Sequence, residues 1–121
     1  MCIIINTIYM KKKKYLVKLE FHDSAKREVK YLNSNSELSG CNTLFADLEE
    51  SKRRIEVFCK RFNEQKIEKI CNFHEWNREN IKVKTLKTIY DPEWISVIFS
   101  HESKNGSAPL YMFKYMIIEK S

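Results

Sequence analysis

The sequence predicts an α+β domain: an antiparallel sheet of about five strands, laid out as a hairpin, a helix and a three-strand meander, with one main amphipathic helix packed across one face. Three observations carry this. From Asn42 to Phe62, Leu44, Leu48, Ile55, Phe58 and Phe62 recur at three- to four-residue spacing with a gap at Ser51, and Phe45 and Cys59 widen the stripe. That is the period of a helix buried along one side. Before it, Tyr15, Val17, Leu19 and Phe21 alternate with Lys14, Lys18, Glu20 and His22, the period of a half-buried strand. After it, the stretch from Leu110 to Ile118 is apolar on both faces except at Lys114, as expected of a central, covered strand.

Taken in order, residues 1–10 read as an edge strand or a tail. Tyr15 to Phe21 is the first strand of the hairpin, with Leu16 an exception on its polar face. His22-Asp23-Ser24 reads as a turn and Arg27 to Leu32 as the second strand. Asn33 to Gly40 is a polar, turn-rich loop. Asn42 is placed to cap the helix through its side-chain oxygen. Asp47, Glu49 and Glu50 precede Lys52, Arg53 and Arg54, the order the helix dipole favours. Glu49–Arg53, Glu50–Arg54 and Glu56–Lys60 are spaced as i,i+4 pairs worth a few tenths of a kcal/mol each. A helix running to Asn72 would be about 45 Å long, against a radius of gyration of about 14 Å for such a chain. A break is therefore expected at Asn63-Glu64-Gln65, followed by a shorter helix from Lys66 to His74. Asn77 to Asn80 is a polar break, and Ile81 to Tyr90 a strand. Asp91-Pro92-Glu93 interrupts, since proline cannot donate to a ladder. Trp94 to His101 is a strand, Asn105-Gly106 a turn, and Leu110 to Ile118 closes the chain.

Composition bounds the function. At 121 residues with 43% hydrophobic and 31% charged residues, residues 1–121 form a single folded domain rather than a disordered segment. A formal charge of +6 and a pI of about 9.1 point towards nucleic acid or another acidic surface. Most of the cations are lysines, which are weaker than arginine for bidentate recognition. The apolar run Cys2 to Met10 is too short to cross a bilayer. It also precedes the Lys11–Lys14 run, the reverse of a secretory signal. The expectation is a cytoplasmic protein that does not engage a membrane. Cysteines at positions 2, 41, 59 and 71 show no tight pairing, as in a chain with reduced thiols.

No catalytic set is apparent. Cys59, Cys71 and His74 are a sparse metal set in which only Cys71-x-x-His74 has short spacing, so buried packing thiols are the better reading. Gly40 and Gly106 are the only glycines and lie far apart, which excludes a glycine-rich phosphate loop. His22-Asp23 and His74-Glu75 are adjacent pairs, and adjacency does not aim two side chains at one proton. Asp91 followed by Glu102-x-Lys104 resembles the acidic-acidic-lysine core of the PD-(D/E)xK nucleases, which implies Mg²⁺ held by the carboxylates. The pattern departs from that family in that Pro92 follows the aspartate, and a turn with solvated charges describes these residues better.

Tyr111, Phe113 and Tyr115, with Lys114 between them, form either a sheet face on which bases stack or a packing surface beneath the helix, and packing is favoured. Trp76 and Trp94 sit beside breaks, where tryptophan makes a good interface residue.

The sequence thus leads to a non-enzymatic binding or inhibitor protein that occludes a larger nucleic-acid-handling protein assembly. In general style it is similar to small inhibitors of phages and mobile elements such as anti-CRISPR proteins, although no motif carries that likeness. Trp94, Trp76 and Tyr111 are the expected partner-binding aromatics, with Lys11, Lys12, Lys13, Lys82, Lys84, Lys87, Arg53 and Arg54 as the basic rim. No cofactor or metal is expected. Direct DNA or RNA binding is the alternative, and a metal-dependent nuclease the third reading.

Overall fold

The C-terminal strand is the spine of the sheet. The structure, a computed structural model, describes residues 13–23, 26–88 and 93–120. In chain order these form β1 (Lys14–His22), β2 (Arg27–Leu32), β3 (Leu38–Ser39), β4 (Leu44–Phe45), α1 (Leu48–His74), a short 3-10 helix (Arg78–Asn80), β5 (Ile81–Lys87), β6 (Ile95–Ser103) and β7 (Gly106–Lys120). The sheet runs β3-β2-β1-β7-β6-β5, with β4 also paired to β1, and every pair is antiparallel. β7 is therefore flanked by β1 and β6, the central place its sequence predicts, but among the described residues α1 covers only one of its faces, not both as a doubly apolar strand leads one to expect.

The α+β class and the single helix on an antiparallel sheet are as the sequence predicts, but the strands number seven rather than about five. The extra two, β3 and β4, are two residues each, too short to show a period. The β6–β7 hairpin also runs through the stretch read as a turn. Ser103 pairs with Gly106, leaving Lys104-Asn105 as a two-residue turn, and Gly106 takes φ 119, which L side chains rarely adopt. Pro109 is tolerated inside β7 because the register shifts beside it, between Phe99 and Ser100, and a bulge is where a strand can lack an N–H. The expected strand or tail over residues 1–10 lies outside the described residues, as do residues 89–92.

Three expectations about the helix are corrected. Asn42 is not its cap. Leu44 and Phe45 pair with Leu16 and Tyr15 as β4, and Asp47 instead caps α1, its Oδ1 accepting from the Glu50 N–H at 2.7 Å. Nor does the helix break at Asn63-Glu64-Gln65. It is continuous for 27 residues, roughly 40 Å, because no Gly or Pro interrupts it and its apolar stripe resumes at Ile67, Ile70 and Cys71, which pack on the core. The rod does not overhang, since β7 at 15 residues is itself about 50 Å long. The apparent gap at Ser51 is a contact: Ser51 is fully buried, with Oγ donating to the Leu48 carbonyl at 2.7 Å. The predicted i,i+4 pairs do not form. Glu49 reaches Lys52 at 3.8 Å instead. α1 ends at Glu75 in the left-handed region (φ 56), whose N–H donates to the Cys71 carbonyl.

Between helix and sheet lies one core of Val17, Leu19, Phe21, Leu32, Phe45, Ile55, Phe58, Val97, Phe99 and Phe113. Phe62 is its hub, within 6.4 Å centroid to centroid of Phe21, Phe58, Phe99, Tyr111 and Phe113.

Candidate nucleic-acid interface

Strand alternation sorts the sheet side chains between two faces. The core residues above take the face towards α1. The other face carries Lys14, Leu16, Lys18, Glu20 and His22 of β1. Register places beside them Arg27, Val29 and Tyr31 of β2, Met112, Lys114 and Met116 of β7, Ser96 and Ile98 of β6, and Lys82 and Lys84 of β5. Lys14, Lys18, Arg27, Lys82, Lys84, Lys114 and Lys120 thus stand on one face, against Glu20 and Glu102. Among the described residues, the lysines and arginines elsewhere are matched one for one by aspartate and glutamate. The positive excess therefore belongs to this face, where closely set cations sum into a field stronger than any one of them supplies.

Two aromatics share it. Trp94 lies beneath the Lys18 ammonium, 5.7 Å from Nζ to the ring centroid, and Tyr31 sits directly across the ladder from Lys18. Trp94 is held at its backbone. Its N–H donates to Thr88 Oγ1 at 2.8 Å and its carbonyl accepts from the Thr88 N–H at 2.8 Å, so the ring is set against the sheet despite its position at a strand entrance.

At the centre of the face is a polar cluster that the sequence reading did not assemble. Glu20 is 5% exposed. Its Oε1 meets His22 Nε2 at 2.6 Å and its Oε2 meets Arg27 Nη2 at 2.9 Å. Burial alone would push the carboxyl up, but the hydrogen bonds and charges of Arg27 and His22 outweigh it and hold Glu20 below its ordinary value. Lys114 lies directly opposite Glu20, and Ser96 opposite Lys114. The available signal was alternation: Lys18, Glu20 and His22 fall on one side of a strand, so the partner of His22 is two residues back rather than the adjacent Asp23.

The residues expected to bind a partner do not converge. Lys82 and Lys84 are exposed on the basic face, and Trp94 joins them. Lys87 points to the other face and pairs with Glu93 at 3.5 Å. Lys13 pairs with Glu119 at 2.9 Å. Arg53 and Arg54 belong to α1, in the other layer, and among the described residues the buried Arg54 Nε has no hydrogen-bond partner. Lys11 and Lys12 lie outside the described residues. Trp76 is at the far end of the helix, stacked between His74 at 4.0 Å and His101 at 3.8 Å.

Tyr111 packs on the core, the reading favoured for the Tyr111, Phe113 and Tyr115 face, rather than standing clear as a partner-binding aromatic. It faces α1 with Phe113 and Tyr115, and the Lys66 ammonium covers its ring at 3.8 Å. Burial lowers the Lys66 pKa and raises that of the Tyr111 hydroxyl.

Cys59 and Cys71 pack on the core, and burial pushes the Cys59 thiol up to about 12, away from the thiolate a metal requires. Among the described residues, no three His, Cys, Asp or Glu side chains gather to hold a metal ion. Glu102 and Lys104 are exposed at the β6–β7 turn, and Asp91 lies outside the described residues. No helix among the described residues is long and apolar enough to cross a membrane.

Comparison with protein-family models, curated proteins and solved structures finds no match.

Proposed function

We propose that the protein binds single-stranded nucleic acid directly, through the sheet face turned away from α1. The supporting observation is the segregation of charge: the cations in excess of the carboxylates stand on that face, while the rest of the described residues taken together balance. Lysines spaced across adjacent strands track a phosphate backbone, and Trp94 and Tyr31 supply ring faces for bases without demanding a sequence.

The test is fluorescence anisotropy with generic single-stranded RNA and DNA across a salt series. Affinity should fall steeply as salt rises, by a log–log slope of about −0.7 per phosphate contact. The double variant Lys82→Glu/Lys84→Glu should weaken binding and flatten that slope, while Arg53→Glu on the helix layer leaves both nearly unchanged. Absence of binding at low salt removes the reading.

The occluding-inhibitor reading is favoured by a different feature. Phe73 is 82% exposed at the end of α1, beside the Trp76 stack, and an exposed phenylalanine of that kind suits a protein contact. Capture of a specific protein that is lost in Phe73→Ser, with no affinity for nucleic acid, would select it.

A further inference from the structure

The Glu20–His22 pair has the form of a working acid–base dyad. In neutral His22, Nε2 donates to the Glu20 carboxylate at 2.6 Å, which fixes the tautomer whose Nδ1 carries a lone pair. Among the described residues, Nδ1 has no protein partner. Arg27 occupies the second oxygen of Glu20 at 2.9 Å, so the carboxylate stays ionised and its orientation is fixed from both sides. His22 is half-buried and Arg27 exposed, so the base and one cation are reachable while the positioning carboxylate is not. Among the described residues, no serine, threonine or cysteine hydrogen-bonds to His22 as a nucleophile would.

We propose that the nucleophile comes from the substrate, and that this face cleaves RNA without a metal ion. The inference rests on the nucleic-acid reading above. RNA carries its own hydroxyl next to each phosphodiester. His22 Nδ1 takes the proton of the ribose 2′-OH, and the 2′-oxygen attacks the adjacent phosphorus. The bond from phosphorus to the 5′-oxygen of the next nucleotide breaks, that oxygen takes a proton from water, and the hydroxide left behind recovers the proton held by His22. The products are a 2′,3′-cyclic phosphate and a free 5′-hydroxyl, with no oxidant, reductant or cofactor needed.

The charge that grows on the phosphoryl oxygens has counterparts in place. Arg27 is the direct cross-strand neighbour of His22, and Lys114 that of Glu20. Those positions lie roughly 5 Å from their partners, and the diagonal from Lys114 to His22 is about 7–8 Å, within reach of a bound phosphate. The groups around His22 are Glu20 on its own strand, Arg27 on β2 and Lys114 on β7, with Met112 directly across β7. DNA, lacking the 2′-hydroxyl, binds the same face and is not cut.

The experiment incubates the full chain with a mixed-sequence RNA oligonucleotide and its DNA counterpart in EDTA. Products are read by mass spectrometry and binding is measured in parallel. The expected result is RNA-only cleavage with cyclic phosphate ends, reduced about 10²-fold or more in His22→Ala while RNA affinity holds within a few-fold. Arg27→Ala, an exposed site that leaves the core intact, should slow cleavage more than it weakens binding. Glu20→Gln tests positioning: it should slow cleavage and change the shape of the pH–rate profile, which loss of packing alone would not. RNA bound but uncut overturns this inference and leaves the binding function standing. Cutting undiminished in His22→Ala overturns it too, as a contaminating activity. Failure to bind either polymer overturns both.

Discussion

Phe62 sets its ring edge-on against Phe113, with centroids 4.9 Å apart and planes at 73°. The contact joins the middle of α1 to the middle strand of the sheet, and edge-to-face pairs add about 0.5–1.5 kcal/mol beyond the area they bury. Phe62 also touches Phe21, Phe99 and Tyr111, which makes it the residue on which the two layers most depend. Phe62→Ala should destabilise the fold by about 3–5 kcal/mol. A urea titration reads this as a lower midpoint.

Acid should weaken the fold partly through Glu20. Its folded pKa is held below the ordinary 4.5, so its ion pairs stabilise the protein above that value. The contribution is lost as pH falls through the folded pKa. Urea midpoints taken from neutrality down through the carboxylate range should fall less for Glu20→Gln than for the wild type. Curves that stay parallel would show that Arg27 and His22 contribute nothing to the fold through it.

The cap is a clean discriminator between the two candidate starts of α1. Asp47→Ala removes the 2.7 Å acceptor for the Glu50 N–H and should cost about 1 kcal/mol. Asn42→Ala should stay within about 0.5 kcal/mol, as a surface change does. Thermal unfolding of both variants decides it.

Thiol chemistry should separate Cys41 from Cys59. Cys41 is exposed, whereas the Cys59 thiol is pushed up to about 12 by burial and by Glu56. Only the thiolate reacts. In mildly alkaline buffer a thiol-directed reagent should label Cys41 quickly and Cys59 only after unfolding, as mapped by peptide mass spectrometry. Rapid native labelling at Cys59 would contradict its packing.

Glu75 holds the left-handed C-terminal position of α1 at φ 56, where glycine is the usual occupant. Glu75→Gly should therefore raise stability by about 0.5–1 kcal/mol, measured as a higher urea midpoint with an unchanged slope.

Local periodicity carried the fold class. The alternation from Tyr15 to Phe21 and the helical stripe at Leu48, Ile55, Phe58 and Phe62 are intrinsic to the chain, and the structure realises both. The doubly apolar β7 foretold its own central place. What failed was local in a different way. Leu44 and Phe45 fit a helical stripe as well as a strand, and only their pairing with Leu16 and Tyr15 chose between them. The break at Asn63-Glu64-Gln65 was argued from overall size, and β7 proved long enough to support an uninterrupted rod.

By itself the sequence determined an amphipathic helix, alternating strands and a basic balance of charge, because each is set by neighbours a few residues apart. Tertiary structure alone decided where that charge collects. Register set Arg27 opposite His22 within the hairpin and brought Lys114 to Glu20 from 94 positions away, and no local pattern encodes a pairing between strands as separated in the chain as β1 and β7.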